Sequence, residues 1–302
     1  MPLIFPRLIW SSLAVALAVG TVQTGVQRWQ ATPLILAAEV FEGQKVELPA
    51  TVIAPAVASV TAPVQAGAAH LHATGTAAHE HPQAAVKEPV QAAQFPDSLD
   101  HEYGAAKGWT PENGAERIVW TWVANILHAF SMALLVFAVM GVWRYQRGTP
   151  VAALPLAGLV AASGWLSFYL WPALGLPAQV PGMDAAPLQA RQLWSVLAIG
   201  SAAAACILVG FGTAKWRWLA AAVLLALPFV VGAPQLQGDA LAGYSLQNRI
   251  ALEQLLQRFF WATTWVGVSF WLSIGLTCGL AFQRWLQPVF MPNFKGTGLV
   301  AG

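Results

Sequence analysis

Charged side chains are scarce in this chain. Asp, Glu, Lys and Arg together make up 9% of its 302 residues, against about 25% in an ordinary soluble domain. Apolar residues reach 57%, so the composition excludes a soluble globular domain and predicts an integral membrane protein. The net charge of +2 is too small to indicate a nucleic-acid partner. The two cysteines both lie within apolar runs and provide no disulfide framework.

The motifs of several enzyme classes are also missing. The chain has no Gly-x-x-x-x-Gly-Lys-Ser/Thr loop, which excludes ATP hydrolysis by that route, and no His-Glu-x-x-His pair, which argues against a zinc protease. Only one histidine lies inside an apolar span, so a haem held by two histidines of this chain is not expected. We therefore predict no enzyme activity and no permanent cofactor.

Long apolar runs predict an all-α, polytopic membrane protein with about six transmembrane helices, because about 20 apolar residues cross a bilayer. The predicted spans are 8–26, 118–141, 151–171, 193–211, 217–233 and 259–281. The first run could instead be a cleaved signal peptide. The chain then divides into an N-terminal anchor, a long mobile loop rich in His and acidic residues, a five-helix bundle and a tail, at 1–30, 31–117, 118–285 and 286–302.

Charge is distributed unevenly between the two sides of this arrangement. The connections after 141, 211 and 281 carry Lys and Arg without a carboxylate, which places them in the cytoplasm by the positive-inside rule. All thirteen Asp and Glu residues lie in the other segments, 27–117, 172–192 and 234–258. We predict a multi-pass protein of the bacterial inner membrane with both termini cytoplasmic. Its extracytoplasmic face would meet cations and its helices would contact membrane lipid.

Five of the six histidines lie in the long loop, four of them as two His-x-His pairs. In an extended chain residues i and i+2 project to the same face, so both imidazoles of a pair can reach one ion. Neutral imidazole suits cobalt, nickel, zinc and copper. The alternative is a solvated linker with incidental histidines. The predicted metal ligands are His70, His72, His79, His81, Asp100, His101 and Glu102.

A polar group also lies deep in the second span. His128 is about 15 Å from the start of that span, near the midplane, and Asn125, Ser131 and Met132 are expected to share its face. An ionisable residue at that depth is a functional candidate, although a packing hydrogen bond between helices is the alternative. The predicted transport path comprises Asn125, His128, Met132, Glu116 and Asp184.

Five segments together resemble the CbtA family, the larger subunit of a predicted cobalt transporter. They are PLILAAEVFE (33–42), ENGAERIVWTWVANIL (112–127), LWPALGLPAQVPGM (170–183), ARQLW (190–194) and ALPFVVGAPQ (226–235). The resemblance covers most of the chain and implies uptake of Co²⁺, linked to cobalamin status, with Ni²⁺ as the alternative ion. It also implies a small one-span companion subunit with a His-rich terminus, CbtB-like. Positions inside the matching motifs include Glu39 and the candidate structural or gating residues Arg117, Arg191, Pro181 and Gly182.

The residues and the resemblance favour a subunit of a divalent metal transporter. We expect the His/acidic loop to concentrate the ion, which would then pass Asp184 or Glu116 and reach His128. Two alternatives remain open at this point. One is a transporter for another ion such as nickel, and the other is a non-transporting scaffold or metal-delivery subunit of a larger complex.

Overall fold

A computed structural model describes residues 4–46, 111–112, 114–147 and 151–288, and within these ranges the regular structure is helical. The histidines and acidic residues predicted as ligands at 70–102 lie outside the described residues. The helices in chain order are α1 (Ile4–Gln30), α2 (Thr32–Glu42), α3 (Ala115–Arg147), α4 (Ala153–Trp165), α5 (Trp171–Gly175), α6 (Leu188–Phe211), α7 (Arg217–Val231) and α8 (Leu246–Ala281).

Two short π-helical turns extend these helices. Leu166–Leu170 joins α4 to α5 without a break, and the N–H of Trp171 donates to the carbonyl of Leu166, five residues back. Phe282–Leu286 continues α8 in the same way. A π turn holds one residue more than an α turn, so it changes which side chains face a neighbouring helix.

Five helical segments among the described residues are long and apolar enough to cross a membrane, which confirms a multi-pass membrane protein. They are Ile4–Gln30, Ala115–Arg147, Ala153–Gly175, Leu188–Phe211 and Leu246–Leu286. The run predicted as the fifth span, 217–233, forms α7, which has only 15 residues. This helix ends early because Gly232 turns the backbone to a positive φ of 86°, a conformation that glycine adopts without strain.

The main core lies where α1, α3, α4 and α8 meet. Helix α1 packs along both α3 and α8, and α8 packs along α4 on another side. Small residues allow these approaches, since Cβ atoms at Gly275 and Gly279 would contact Ala161 and Leu154 of α4 at under 3.0 Å. The largest buried side chains of this core include Val19, Val136, Met140, Leu156, Ile274, Cys278, Phe282 and Leu286.

Helices α6 and α7 form a hairpin beside this core. The indole N–H of Trp194 in α6 donates to the carbonyl of Pro228 in α7 at 2.9 Å. The same indole lies against α5, where a Cβ at Gly175 would be 2.1 Å from the ring. This buried tryptophan therefore connects the hairpin to α5, the last part of the continuous helix that α4 begins.

A second apolar cluster covers the end of the bundle where α1 ends and α8 begins. It is built from α2 with residues 43–46, the connections 176–187 and 232–245, and the first turns of α8. We call this layer the cap. Its buried side chains are Ala31, Ala38, Val180, Leu241, Tyr244, Leu252 and Phe259. Because the cap has its own core, it can hold polar groups at defined positions above the membrane-spanning helices.

Candidate transport site

Ion pairs connect the segments of the cap. Lys45 Nζ lies 2.5 Å from Asp184 Oδ1, and both side chains are partly exposed. The backbone N–H of Asp184 donates to the carbonyl of Ala240 at 2.9 Å, and that of Val46 donates to Gly243 at 3.0 Å. The predicted path residue Asp184 is therefore held at its backbone and at Oδ1, and a metal ion reaching Oδ1 would compete with Lys45.

Two more carboxylates of the cap are paired with arginine. Glu39 of α2 accepts two hydrogen bonds from Arg117 at the start of α3, the shorter at 2.8 Å. Asp239 pairs with Arg249 at 2.5 Å. The backbone N–H of Leu241 and the charge of Arg249 lower the pKa of Asp239 from its ordinary value. This carboxylate is accordingly charged at neutral pH and down into the acid range.

Glu116, which the sequence predicts on the transport path, lies at the N-terminus of α3. Its Oε2 accepts the backbone N–H of Glu112 at 3.2 Å, within the first turn of α3. A carboxylate at a helix N-terminus satisfies free N–H groups and is favoured by the helix dipole. Glu116 therefore stabilises the beginning of α3 and adds negative charge near the cap.

Pro181 and Gly182 form the centre of a turn in the cap. Gly182 has a φ of 84°, and its carbonyl accepts a hydrogen bond from Tyr244 Oη at 3.0 Å. A Cβ at position 182 would lie 2.5 Å from that hydroxyl oxygen. Glycine is thus required here both for the backbone conformation and for the contact between the two connections.

Below the cap, polar side chains from α1, α3 and α8 meet in the bundle. Asn125 Nδ2 donates to Thr24 Oγ1 at 3.0 Å and to Gln27 Oε1 at 2.9 Å. Gln23 Nε2 donates to the carbonyl of Val266 at 3.3 Å, and Gln23 Oε1 accepts from Ser269 Oγ at 3.5 Å. We call this group the polar seam: Gln23, Thr24, Gln27, Asn125 and Ser269.

Asn125 was predicted as a path residue from the sequence, but its partners on α1 were not. Gln23, Thr24 and Gln27 stand at i, i+1 and i+4, which places them near one face of α1. That pattern of polar residues near the end of an apolar helix was the available signal. It was missed because the first span was interpreted as an anchor and not as part of the bundle.

The ring of His128 contacts α8. The residue is exposed, and its ring lies 4.9 Å, between ring centroids, from buried Phe270. Met132 packs against the main core, while Ser131 is exposed and bonds to the carbonyl of Leu127 in its own helix. Asn125 and His128, which were predicted to share a face of α3, therefore contact different helices, α1 and α8.

The polar seam contains neutral oxygen atoms that a cation could contact, and the carboxylates of the cap lie above it. Within the described ranges, no three His, Cys, Asp or Glu side chains stand close enough together to hold a metal ion. Gln23, Gln27 and Asn125 each have an amide oxygen, which is a common ligand of hard and borderline cations. The arrangement suits transient contact with a passing ion better than a resident metal centre.

A family model described as "Probable cobalt transporter subunit (CbtA)" matches residues 5–283. The matched range includes the cap and the polar seam and extends through α8. No curated protein and no solved structure matches the chain.

Proposed function

The chain belongs to the CbtA family of probable cobalt transporter subunits, and on that premise we propose that its helices form the route of Co²⁺ uptake. The observation that carries this proposal is the polar seam, which continues inward from a cap that holds three ion-paired carboxylates. Burying amides and hydroxyls within a bilayer costs free energy. Such a group is therefore expected only where it joins helices or lines the path of an ion. The position of this set directly below the cap favours passage.

The cap would receive the ion first. Its ion pairs are partly exposed, and exposed pairs contribute little stability. A doubly charged ion can therefore compete with the single charge of Lys45 for Asp184. We propose that the cap faces the outside of the cell, because the opposite end of the helices carries Arg144, Arg147, Arg217 and Arg284 and, among the described residues, no carboxylate.

The ion would next enter the polar seam. Asn125 lies ten residues into α3, about 15 Å along its axis, so the seam is within the apolar part of the bundle. The amide oxygens there can replace part of the water shell of the ion. The membrane potential supplies about 2.3 kcal/mol per elementary charge per 100 mV, and a doubly charged ion would gain twice as much on moving inward.

A companion subunit would complete the route. The family description names a subunit, and His128 is exposed on a helix that crosses the membrane. An ionisable side chain in that position is expected to face protein or water, not lipid. We propose that the face around His128 meets the small one-span companion, while the His/acidic loop supplies ions from outside.

Uptake of radioactive cobalt into metal-starved cells tests this function. Cells should express this chain with and without its companion, at matched levels in the membrane. Saturable uptake that requires this chain is expected, and competition by nickel would measure selectivity between the two ions. Absence of uptake in both settings, with the protein folded and in the membrane, would contradict the proposal.

A metal-delivery or scaffold subunit is the second candidate function. It is favoured by the hydrogen bonds among Asn125, Thr24 and Gln27, because polar groups that satisfy one another can serve helix packing alone. Under this alternative, cobalt would bind to the complex while uptake would not depend on the polar seam. The uptake assay with seam variants separates the two functions.

Replacing His128 with Ala should reduce cobalt uptake at least about tenfold, a loss that corresponds to about 1.4 kcal/mol, because it removes the imidazole from the face that we propose meets the companion. The matched control is Ser131→Ala, which changes another exposed residue one turn further along α3 and should leave uptake unchanged. Both variants are compared at equal amounts of protein in the membrane. Normal uptake by the His128 variant would exclude the histidine from the route.

Replacing Asp184 with Asn should raise the cobalt concentration needed for half-maximal uptake several-fold, because one charge is worth of order 1 kcal/mol at a partly exposed site. The maximal rate should change little, since the cap attracts the ion before the seam passes it. Asp239→Asn is the control, because it removes a paired carboxylate of the same layer. Equal shifts in both variants would indicate a general effect of surface charge.

A further inference from the structure

An open groove of about 1090 Å³ lies between α6 and the cap. Apolar side chains from several elements line most of it, among them Ile35, Leu188, Val196 and Phe259. Leu188 and Val196 belong to α6 and are 60% and 69% exposed. On a helix that crosses a membrane, side chains with that exposure and chemistry face the acyl chains of lipid.

Among the described residues that line this groove, Arg191 is the one with an ionised side chain. Its Nη1 donates to Gln179 Oε1 at 2.8 Å. Its Nε is buried and, within the described part of the chain, has no hydrogen-bond partner. A guanidinium is a fork of N–H donors that matches the oxygens of a phosphate, so the donors of Arg191 that Gln179 does not occupy suit an anionic acceptor in the groove.

The start of α6 adds further donors at the same place. The helix begins at Leu188 after Pro187, and no side chain of the described residues caps it. Its first N–H groups are therefore free to bind an anion, which the helix dipole also favours. Gln192 and Ser195 also line the groove, about one and two turns along α6, and add polar groups there.

We propose that this groove binds an anionic phospholipid, with the phosphate at Arg191 and an acyl chain along Ile35, Val196 and Phe259. Arg191 lies three residues, about 5 Å, from the start of a membrane-spanning helix, which is the depth of lipid headgroups. The positive charge and the apolar walls together match an amphiphile with an anionic head. The same charge disfavours a metal cation within this groove.

Native mass spectrometry of the delipidated protein tests this site with two lipids of equal acyl chains, phosphatidylglycerol and phosphatidylcholine. One phosphatidylglycerol should bind at least about tenfold more tightly than phosphatidylcholine, since a charge-assisted bond to the phosphate is added. Arg191→Gln should remove this preference. Arg28→Gln, which removes an exposed cation at the end of α1, should keep it.

Two further variants keep the test decisive if Arg191→Gln fails to fold. Arg191→Lys should retain part of the preference, because it keeps the charge and loses the fork. Val196→Trp should weaken binding of both lipids, because it fills the apolar part of the groove and leaves the arginine in place. Equal binding of the two lipids, equal losses in the Arg28 and Arg191 variants, or displacement by millimolar inorganic phosphate would overturn the proposal.

Discussion

Replacing Asn125 with Leu should lower cobalt uptake at least about tenfold while the protein remains in the membrane. The substitution removes the Nδ2 donor that joins Thr24 and Gln27 and places an apolar side chain of similar size in the seam. Leaving buried acceptors without a donor costs about 1–3 kcal/mol, and the passing ion loses an amide oxygen at the same position. Initial rates of radioactive cobalt uptake measure the effect.

The matched control for this variant is Ser201→Ala. Ser201 is also a buried polar residue of a membrane-spanning helix, but its hydroxyl donates to the carbonyl of Ala198 within α6. That change should leave uptake near the level of the unchanged protein. Unaltered uptake by the Asn125 variant would show that the seam serves helix packing and not transport, and would support the scaffold alternative. A loss of uptake that only matches a loss of folded protein would lead to the same conclusion.

Replacing Gly20 with Val should destabilise the bundle strongly. A Cβ at position 20 would lie 2.7 Å from Ile126 Cγ1 and 2.9 Å from the backbone of the same residue, so α1 and α3 would have to separate. Overpacking of this kind typically costs about 1–3 kcal/mol, and here the obstacle is backbone that cannot change rotamer. The melting temperature of the purified protein in detergent should fall by several degrees.

Gly25→Val provides the control on the same helix. Nothing lies within 4 Å of a Cβ at that position, and the residue is exposed. Both variants place the same β-branched side chain in α1, so the intrinsic helix propensity cancels between them. The difference in melting temperature then reports the contact between α1 and α3. Equal melting temperatures would show that these helices do not pack closely at Gly20.

The helices could be predicted from the sequence because each apolar run is long enough to require one in a bilayer. Their ends could not, since polar residues beyond the membrane continue the helical hydrogen bonding. Helix α3 has 33 residues where the apolar run indicated 118–141, and α8 begins at Leu246, well before the predicted span at 259. The first turns of α8 are thereby available to build the cap.

The candidate site was only partly predictable for a related reason. Lys45 and Asp184 pair across 139 positions of sequence, and no local pattern indicates such a partner. Asn125 and His128 are three residues apart, which leaves about 60° between them around a helix axis. In a tightly packed bundle that angle is enough to give one residue a neighbour on α1 and the other a neighbour on α8.

The π turn at Leu166–Leu170 has a consequence for how the length of this chain can vary. Beyond that turn, Trp171 donates its indole N–H to the carbonyl of Leu225, and within it Tyr169 donates to Thr264 Oγ1. The wider turn takes up one extra residue while the helix continues on either side, so deleting one residue there would restore an α turn and keep the two sides in register. The same deletion within a regular α turn would rotate the following side chains by about 100°. This segment should therefore tolerate a one-residue deletion better than the α-helical turns on either side of it.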